Sequence, residues 1–182
     1  MPTDALANPL VLPILGLLVE RPRHAYSVFD ELRTRYAFLR VRNATVYTLV
    51  NTLEDTGWIA PAAAGGDRQE YALTEAGAQA LADRVDHDVR ATDLANPAAF
   101  MTALAYLGIL APDQAEAALA ARCERIREEV DYLDLALGRA GVSELHMIEA
   151  HYYRDRLRQD GQWLENTILR IRSGALAWPG NR

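Results

Sequence analysis

Lysine is absent from this chain of 182 residues, and all 19 basic side chains are arginine. Set against 25 acidic side chains, they leave a net charge of −6. That balance excludes a general nucleic-acid coat, though not a local basic patch. The preference for Arg and Ala reads as the codon bias of a GC-rich bacterial genome. Cysteine is nearly absent too. The lone Cys123 excludes an intrachain disulfide, and its apolar neighbours mark it as a small buried hydrophobe. No apolar run reaches the ~18 residues that a bilayer span needs. The opening MPTDALANPL has no basic segment ahead of a hydrophobic run. These absences predict a soluble, cytoplasmic protein. There is no glycine-rich phosphate loop, nucleophile elbow or metal motif. HMIEAH sets His146 and Glu149 on one helix face but turns His151 away, so the histidines form no ligand set. Neither an enzyme nor a metal sensor is expected, and no cofactor.

What is present is a core. Half of the residues are apolar, enough for one ordinary domain or two small ones. Asn8 before Pro9 reads as the cap of a first helix through LVLPILGLLVE, which RPRH breaks. AYSVFDELRTRYAFL has the three-and-four spacing of a half-buried second helix. A third runs from about Asn43, a good N-cap, to Asp55, and Gly57 closes it. WIAPAAA and RQEYALT are short extended segments separated by a GGD turn. Thr74 opens a further helix that ends near NPAAF. Three helices followed by a hairpin outline a winged helix-turn-helix.

The remainder reads as helical throughout. Leu119, Cys123, Ile126, Val130, Leu133, Leu137 and Ala140 step by four and three without a fault. Leu157, Gly161, Leu164, Ile168 and Ile171 repeat those steps in a last helix from Ser143 to about Arg172. Both are seams for coiled-coil-like packing. The fold class expected is mainly α: a winged helix-turn-helix with a small two-stranded wing, then a long-helix antiparallel domain. The division expected is 1–90 and 91–182.

Between Leu32 and Leu53 there is no acidic residue, while Arg33, Arg35, Arg40 and Arg42 gather ahead of the third helix. On that helix Val46, Leu49, Val50 and Leu53 share the inward face, and Ala44, Thr48 and Asn51 the outward one. Thr45 and Tyr47 sit at the edges. Slim, polar, acid-free residues suit a helix entering the major groove: Asn pairs with adenine and a Thr methyl contacts thymine. Arginines beside the helix would neutralise phosphates, and its N-terminus favours an anion. Arg68 and Gln69 would reach a neighbouring backbone from the wing.

PILGLLVERPRHAYSVFDELR, NATVYTLVNTLEDTGWI and RQEYALTEAGAQAL, in that order, resemble the PadR family of bacterial transcriptional regulators. AAFMTALAYLGIL and DGQWLENTILRI resemble its C-terminal dimerisation domain, so the resemblance spans about residues 10 to 172. It implies a homodimeric repressor that binds double-stranded DNA. Carried onto this chain, the DNA contacts fall on Tyr26, Ser27, Asn43, Thr45, Tyr47 and Thr48, with Arg68 in the wing. Arg40, Arg42 and Asn51 join them from the reading of the third helix. Ala25 and Thr48 replace a glycine and a proline of the family pattern, and the wing carries a single arginine. The dimer interface would use Leu119, Cys123, Ile126, Val130, Leu133, Leu137, Trp163, Leu164 and Ile168. The resemblance also implies a small aromatic effector, for which Phe100, Tyr106, Met147, His151, Tyr152 and Trp163 have the right character. The competing reading is a protein-interaction adaptor that keeps the scaffold without strong DNA binding.

Overall fold

A computed structural model describes residues 6–36, 39, 41–62, 69–139, 141 and 143–179. The described residues are mainly helical, with one two-stranded antiparallel sheet. They fall into two compact units, Met1–Val85 and Asp86–Arg182, whose division lies inside a helix. No helix among them is long and apolar enough to cross a membrane.

In the first unit, α1 (Val11–Glu20) is buried from Val11 through Leu18. A helix apolar on every side becomes the centre of a core. Asn8 caps a turn ahead of it rather than the helix itself, its Oδ1 accepting from the Leu10 amide at 2.9 Å. Helix α2 (Ala25–Arg35) starts at His24, whose Nδ1 accepts the Ser27 amide proton at 3.0 Å. Helix α3 (Asn43–Asp55) buries Val46, Leu49, Val50 and Leu53, the face the sequence assigned inward. Asn43 is its first helical residue, not its cap. Arg42 takes the extended cap position, and its side chain makes no capping hydrogen bond.

The C-terminus of α3 closes as the sequence predicts. Gly57 adopts φ 75°, and the Trp58 and Gly57 amides return to the Leu53 and Glu54 carbonyls at 2.9 Å each. This reversal leads directly into β1 (Ile59–Pro61), which pairs with β2 (Tyr71–Leu73) in the register Ile59 to Leu73. Pro61 lies at the end of the ladder, where a missing donor is tolerated. Ile59 is fully buried, whereas Trp58 before it is half-buried.

Arg23 joins these pieces. Its side chain is 3 % exposed, bonded to the Leu17 carbonyl at 3.2 Å, Glu20 at 2.7 Å and Glu31 at 3.0 Å. Its backbone exchanges hydrogen bonds with Tyr71 at 3.1 and 2.9 Å, an isolated antiparallel bridge that ties β2 to the start of α2. Burial alone would raise the Glu20 carboxyl, but hydrogen bonds from Arg35 and Arg23 outweigh it and hold Glu20 below the usual range.

Helix α4 (Glu75–Ala91) is capped by Thr74. The Thr74 hydroxyl accepts from the Gly77 amide at 3.0 Å and lies 2.7 Å from the Gly57 carbonyl, to which it donates. Gly77 is where α4 meets the chain entering β1, and a Cβ there would sit 1.9 Å from the Trp58 carbonyl oxygen.

The second unit contains α5 (Ala98–Leu104), a 3-10 turn (Leu107–Ile109), α6 (Pro112–Arg139), a second 3-10 turn (Glu144–Met147) and α7 (Ile148–Arg172). The last helix thus opens as a tight turn, and its α portion begins five residues after the expected Ser143. Helices α6 and α7 run antiparallel. Ion pairs march in opposite directions along them: Glu116 to Arg172 at 2.7 Å, Arg127 to Glu165 at 3.0 Å, Asp134 to Arg158 at 2.7 Å. The two seams meet inside this hairpin. At Gly161 a Cβ would lie 3.3 Å from the Ile126 Cγ2, so the small residue sets how closely the helices approach.

Gly77→Ala is expected to destabilise the protein by about 2–3 kcal/mol, since backbone must shift to admit the methyl. The thermal midpoint, followed by circular dichroism, should fall by roughly 4–12 °C. Gly138→Ala, in the last turn of α6 with nothing within 4 Å of the new Cβ, should leave it unchanged or raise it slightly.

Candidate nucleic-acid interface

The outward face of α3 is exposed at Arg42, Asn43, Ala44, Tyr47, Thr48 and Asn51, and half-exposed at Thr45. Between this face, the first turn of α2 and the base of the wing lies a cleft of about 650 Å³. Its lining includes His24, Tyr26, Tyr47, Asn51, Gln69 and Tyr71, and no carboxylate is among the described lining residues. Tyr26 and Tyr47 are 50 % and 44 % exposed, so neither belongs to the core. Tyr26 is held by its neighbours: its ring lies 6.5 Å from that of His24 and 6.2 Å from that of Phe29.

Local bonding decides what each group can offer. The His24 Nδ1 accepts from Ser27, so in the neutral ring the proton sits on Nε2, a donor. Ser27 is half-buried, its amide already satisfied by that cap. The Thr48 hydroxyl donates to the Ala44 carbonyl at 3.0 Å. Burial and the Glu54 carboxylate, to which its phenol is hydrogen-bonded, push Tyr71 above its ordinary pKa. Tyr71 therefore stays a neutral wall of the cleft.

The structure thus brings Tyr26, Tyr47 and Asn51 to one cleft, and sets Arg42, Asn43, Thr45 and Thr48 along the same helix outside it. Arg40 and Arg68 lie outside the described residues. His24, Gln69 and Tyr71 join them in the lining, with Ala25 and Val50. The readable signal for His24 was its place one residue ahead of AYS, where a cap is needed. Tyr71 gave none, because its role comes from pairing with Arg23.

The arginine cluster is narrower than the sequence suggests. Arg33 pairs with Asp30 at 3.1 Å, and Arg35 with Glu31 at 2.8 Å and with Glu20. Acids from the preceding turn and from α1 reach into the acid-free stretch. Arg42 remains as an exposed cation at the start of α3, with no ion pair among the described residues.

The residues expected to form an effector site do not converge. Arg122 stacks over Phe100 at 3.9 Å and is 3 % exposed, donating to the Val89 and Thr92 carbonyls. Burial, with repulsion from Arg125 next, lowers this arginine to about 10, still a cation at neutral pH. Tyr106, Met147 and His151 are half-buried and Tyr152 is exposed. Trp163 follows His151 by roughly 18 Å along α7. A hollow of about 490 Å³ lies in this unit, and of the six only Trp163 is among its described lining residues.

The expected interface residues divide as well. Leu119, Cys123, Ile126, Leu164 and Ile168 are buried within the single chain, because the seams of α6 and α7 fill each other. Burial also raises the Cys123 thiol. Val130, Leu133 and Leu137, further along the hairpin, are half-buried, and Trp163 is exposed. The large apolar side chains left to solvent near the connection of α6 and α7 are Tyr132, Leu135, Leu145, Ile148 and Tyr152.

Among curated proteins none matches this sequence. Among solved structures, the chain is similar to Bacillus subtilis PadR in complex with operator DNA, at 19 % identity over 90 % of this chain and 99 % of that one, with a TM-score of 0.42. It is also similar to the Vibrio cholerae virulence activator AphA, at 18 % identity over 90 % and 94 % of the two chains, with a TM-score of 0.40. A family model, that of the Transcriptional regulator PadR-like family, matches residues 14–83. From Ile14 in α1 through the wing and into α4, the chain therefore carries the pattern of the PadR-like transcriptional regulators, as its motifs indicated.

Proposed function

We propose that this chain is a transcriptional regulator that represses from a palindromic operator as a homodimer and releases it on binding a small aromatic effector. The observation that carries the DNA reading is the outward face of α3, free of acid from Asn43 to Asn51, beside a cleft with no carboxylate among its described lining residues, inside the segment that matches the family model. Asn43, Thr45, Thr48 and Asn51 would read base edges, and Tyr26, Ser27, Tyr47 and the His24 Nε2–H would hold phosphate oxygens. Arg42 would neutralise a phosphate at the start of α3, with Arg40 and Arg68 assigned alongside it from sequence. Half-sites would lie about one helical turn apart, or a multiple of it.

The adaptor reading draws support from one finding: Arg33 and Arg35 are already paired, which thins the cationic surface. Fluorescence anisotropy against the duplex upstream of the chain's own gene separates the two. Binding that exceeds a scrambled duplex and weakens with salt is expected; equal affinity for both would favour the adaptor. In the same assay Arg42→Ala should weaken binding to every duplex and flatten the salt slope by about one unit. An unchanged slope would remove Arg42 from the phosphate contacts.

For the homodimer, the apolar side chains exposed at Leu145, Ile148 and Tyr152 are the better probe. They share one face at three- and four-residue spacing, whereas Ile126 is core. Leu145→Glu with Ile148→Glu should give a folded monomer in light scattering. An intact dimer would place the interface elsewhere.

A further inference from the structure

The threonine hydroxyls of this chain are turned back on the main chain, with one exception. Thr48 donates to the Ala44 carbonyl and Thr52 to the Thr48 carbonyl, at 3.0 Å each. Every other described threonine except Thr45 also donates to a backbone carbonyl. Thr45 is half-exposed, and its hydroxyl has no hydrogen-bond partner among the described residues. It lies in the first turn of α3, three residues after Arg42 and so beside it on the helix surface.

The sequence around this hydroxyl is singular as well. In RVRNAT, arginines stand three and five residues ahead of Thr45, and no other serine or threonine of the chain has both. Ser173 alone shares the nearer one, as Arg170, and its hydroxyl donates to that residue's carbonyl at 3.3 Å. A hydroxyl preceded at those places by guanidinium groups, in a stretch without acid, fits the acidic substrate groove of an arginine-directed serine/threonine kinase. To enter such a groove the first turn of α3 must open. Arg42 is already extended, and the turn is held by backbone bonds such as that from the Val46 amide to the Arg42 carbonyl at 3.2 Å. Helix ends open locally at small cost.

We propose that Thr45 is a phosphorylation site, taking the γ-phosphoryl group of ATP from an arginine-directed serine/threonine kinase. The bond between Oγ1 and phosphorus forms, the bond from the γ-phosphorus to the bridging oxygen breaks, ADP departs, and the hydroxyl proton passes to the kinase's catalytic carboxylate. The product carries a charge of about −1.5 to −2 at the first turn of α3. Arg42 would pair with it and no longer meet a DNA phosphate, and the new dianion would repel the duplex. As a switch on operator binding this rests on the DNA reading above; as a modification site it does not.

The test incubates the full chain with Mg–ATP and the catalytic domain of such a kinase, and follows it by intact-mass and fragment mass spectrometry. One phosphoryl group on Thr45 is expected, absent from Thr45→Val and slowed about tenfold in Arg42→Gln. No transfer, transfer to Ser173 or another residue in place of Thr45, or an unchanged rate in Arg42→Gln would each overturn the site. Anisotropy against the duplex upstream of the chain's own gene then compares the two forms. The phosphorylated chain should bind about a hundredfold more weakly, with an unchanged thermal midpoint, and phosphatase should restore the affinity. Thr45→Glu should lose about tenfold more affinity than Thr45→Gln, which separates charge from size. Equal binding by the phosphorylated and unmodified chains would remove the switch. An unmodified chain with no preference over a scrambled duplex would remove the DNA reading instead, and the mass result would still decide the site.

Discussion

The buried guanidinium of Arg23 is the contact on which the first unit turns. One side chain holds the end of α1 through the Leu17 carbonyl and Glu20, and reaches α2 through Glu31. The backbone of the same residue pairs with Tyr71 and so fixes the base of the wing. A charge taken out of water is costly unless every donor is engaged, and here the partners come from separate elements. The arrangement therefore specifies geometry more than it adds stability. The cleft beside α3 exists because α2 and the wing start from the same buried point.

How much of this could be read beforehand follows from how local each signal is. The Gly57 reversal, the Thr74 cap and the inward face of α3 are properties of a few consecutive residues, and all were legible. The strands were legible in position, because a turn signal separated two extended runs. Arg23 was not: within RPRH it looks like an exposed helix breaker, and nothing nearby announces that Glu31 and Tyr71 will close over it. The acid-free stretch misled for the same reason, since Arg35 finds its carboxylates on other turns and another helix. Asn43 was misplaced by one residue because a good capping type is no guarantee that the cap falls there.

The second unit shows a different limit. A heptad seam declares that something will cover it, without saying whether the cover belongs to the same chain. Here α6 and α7 cover each other along Leu119, Cys123 and Ile126, and Gly161 lets them approach. Aromatic residues pose the same ambiguity. Phe100 has the character of a ligand contact, yet its face is taken by Arg122 at 3.9 Å, and only the fold could say so.

The hydroxyl of Thr48 carries a consequence for what α3 can distinguish. Its proton is committed to the Ala44 carbonyl at 3.0 Å, as is usual for a threonine inside a helix. The side chain therefore meets its surroundings as a methyl group and a lone pair, with nothing left to donate. In a DNA groove such a residue can welcome a thymine methyl or an exocyclic amine, but it has no answer to the paired acceptors of guanine. On the reading proposed above, the step facing Thr48 would be chosen by what the residue withholds.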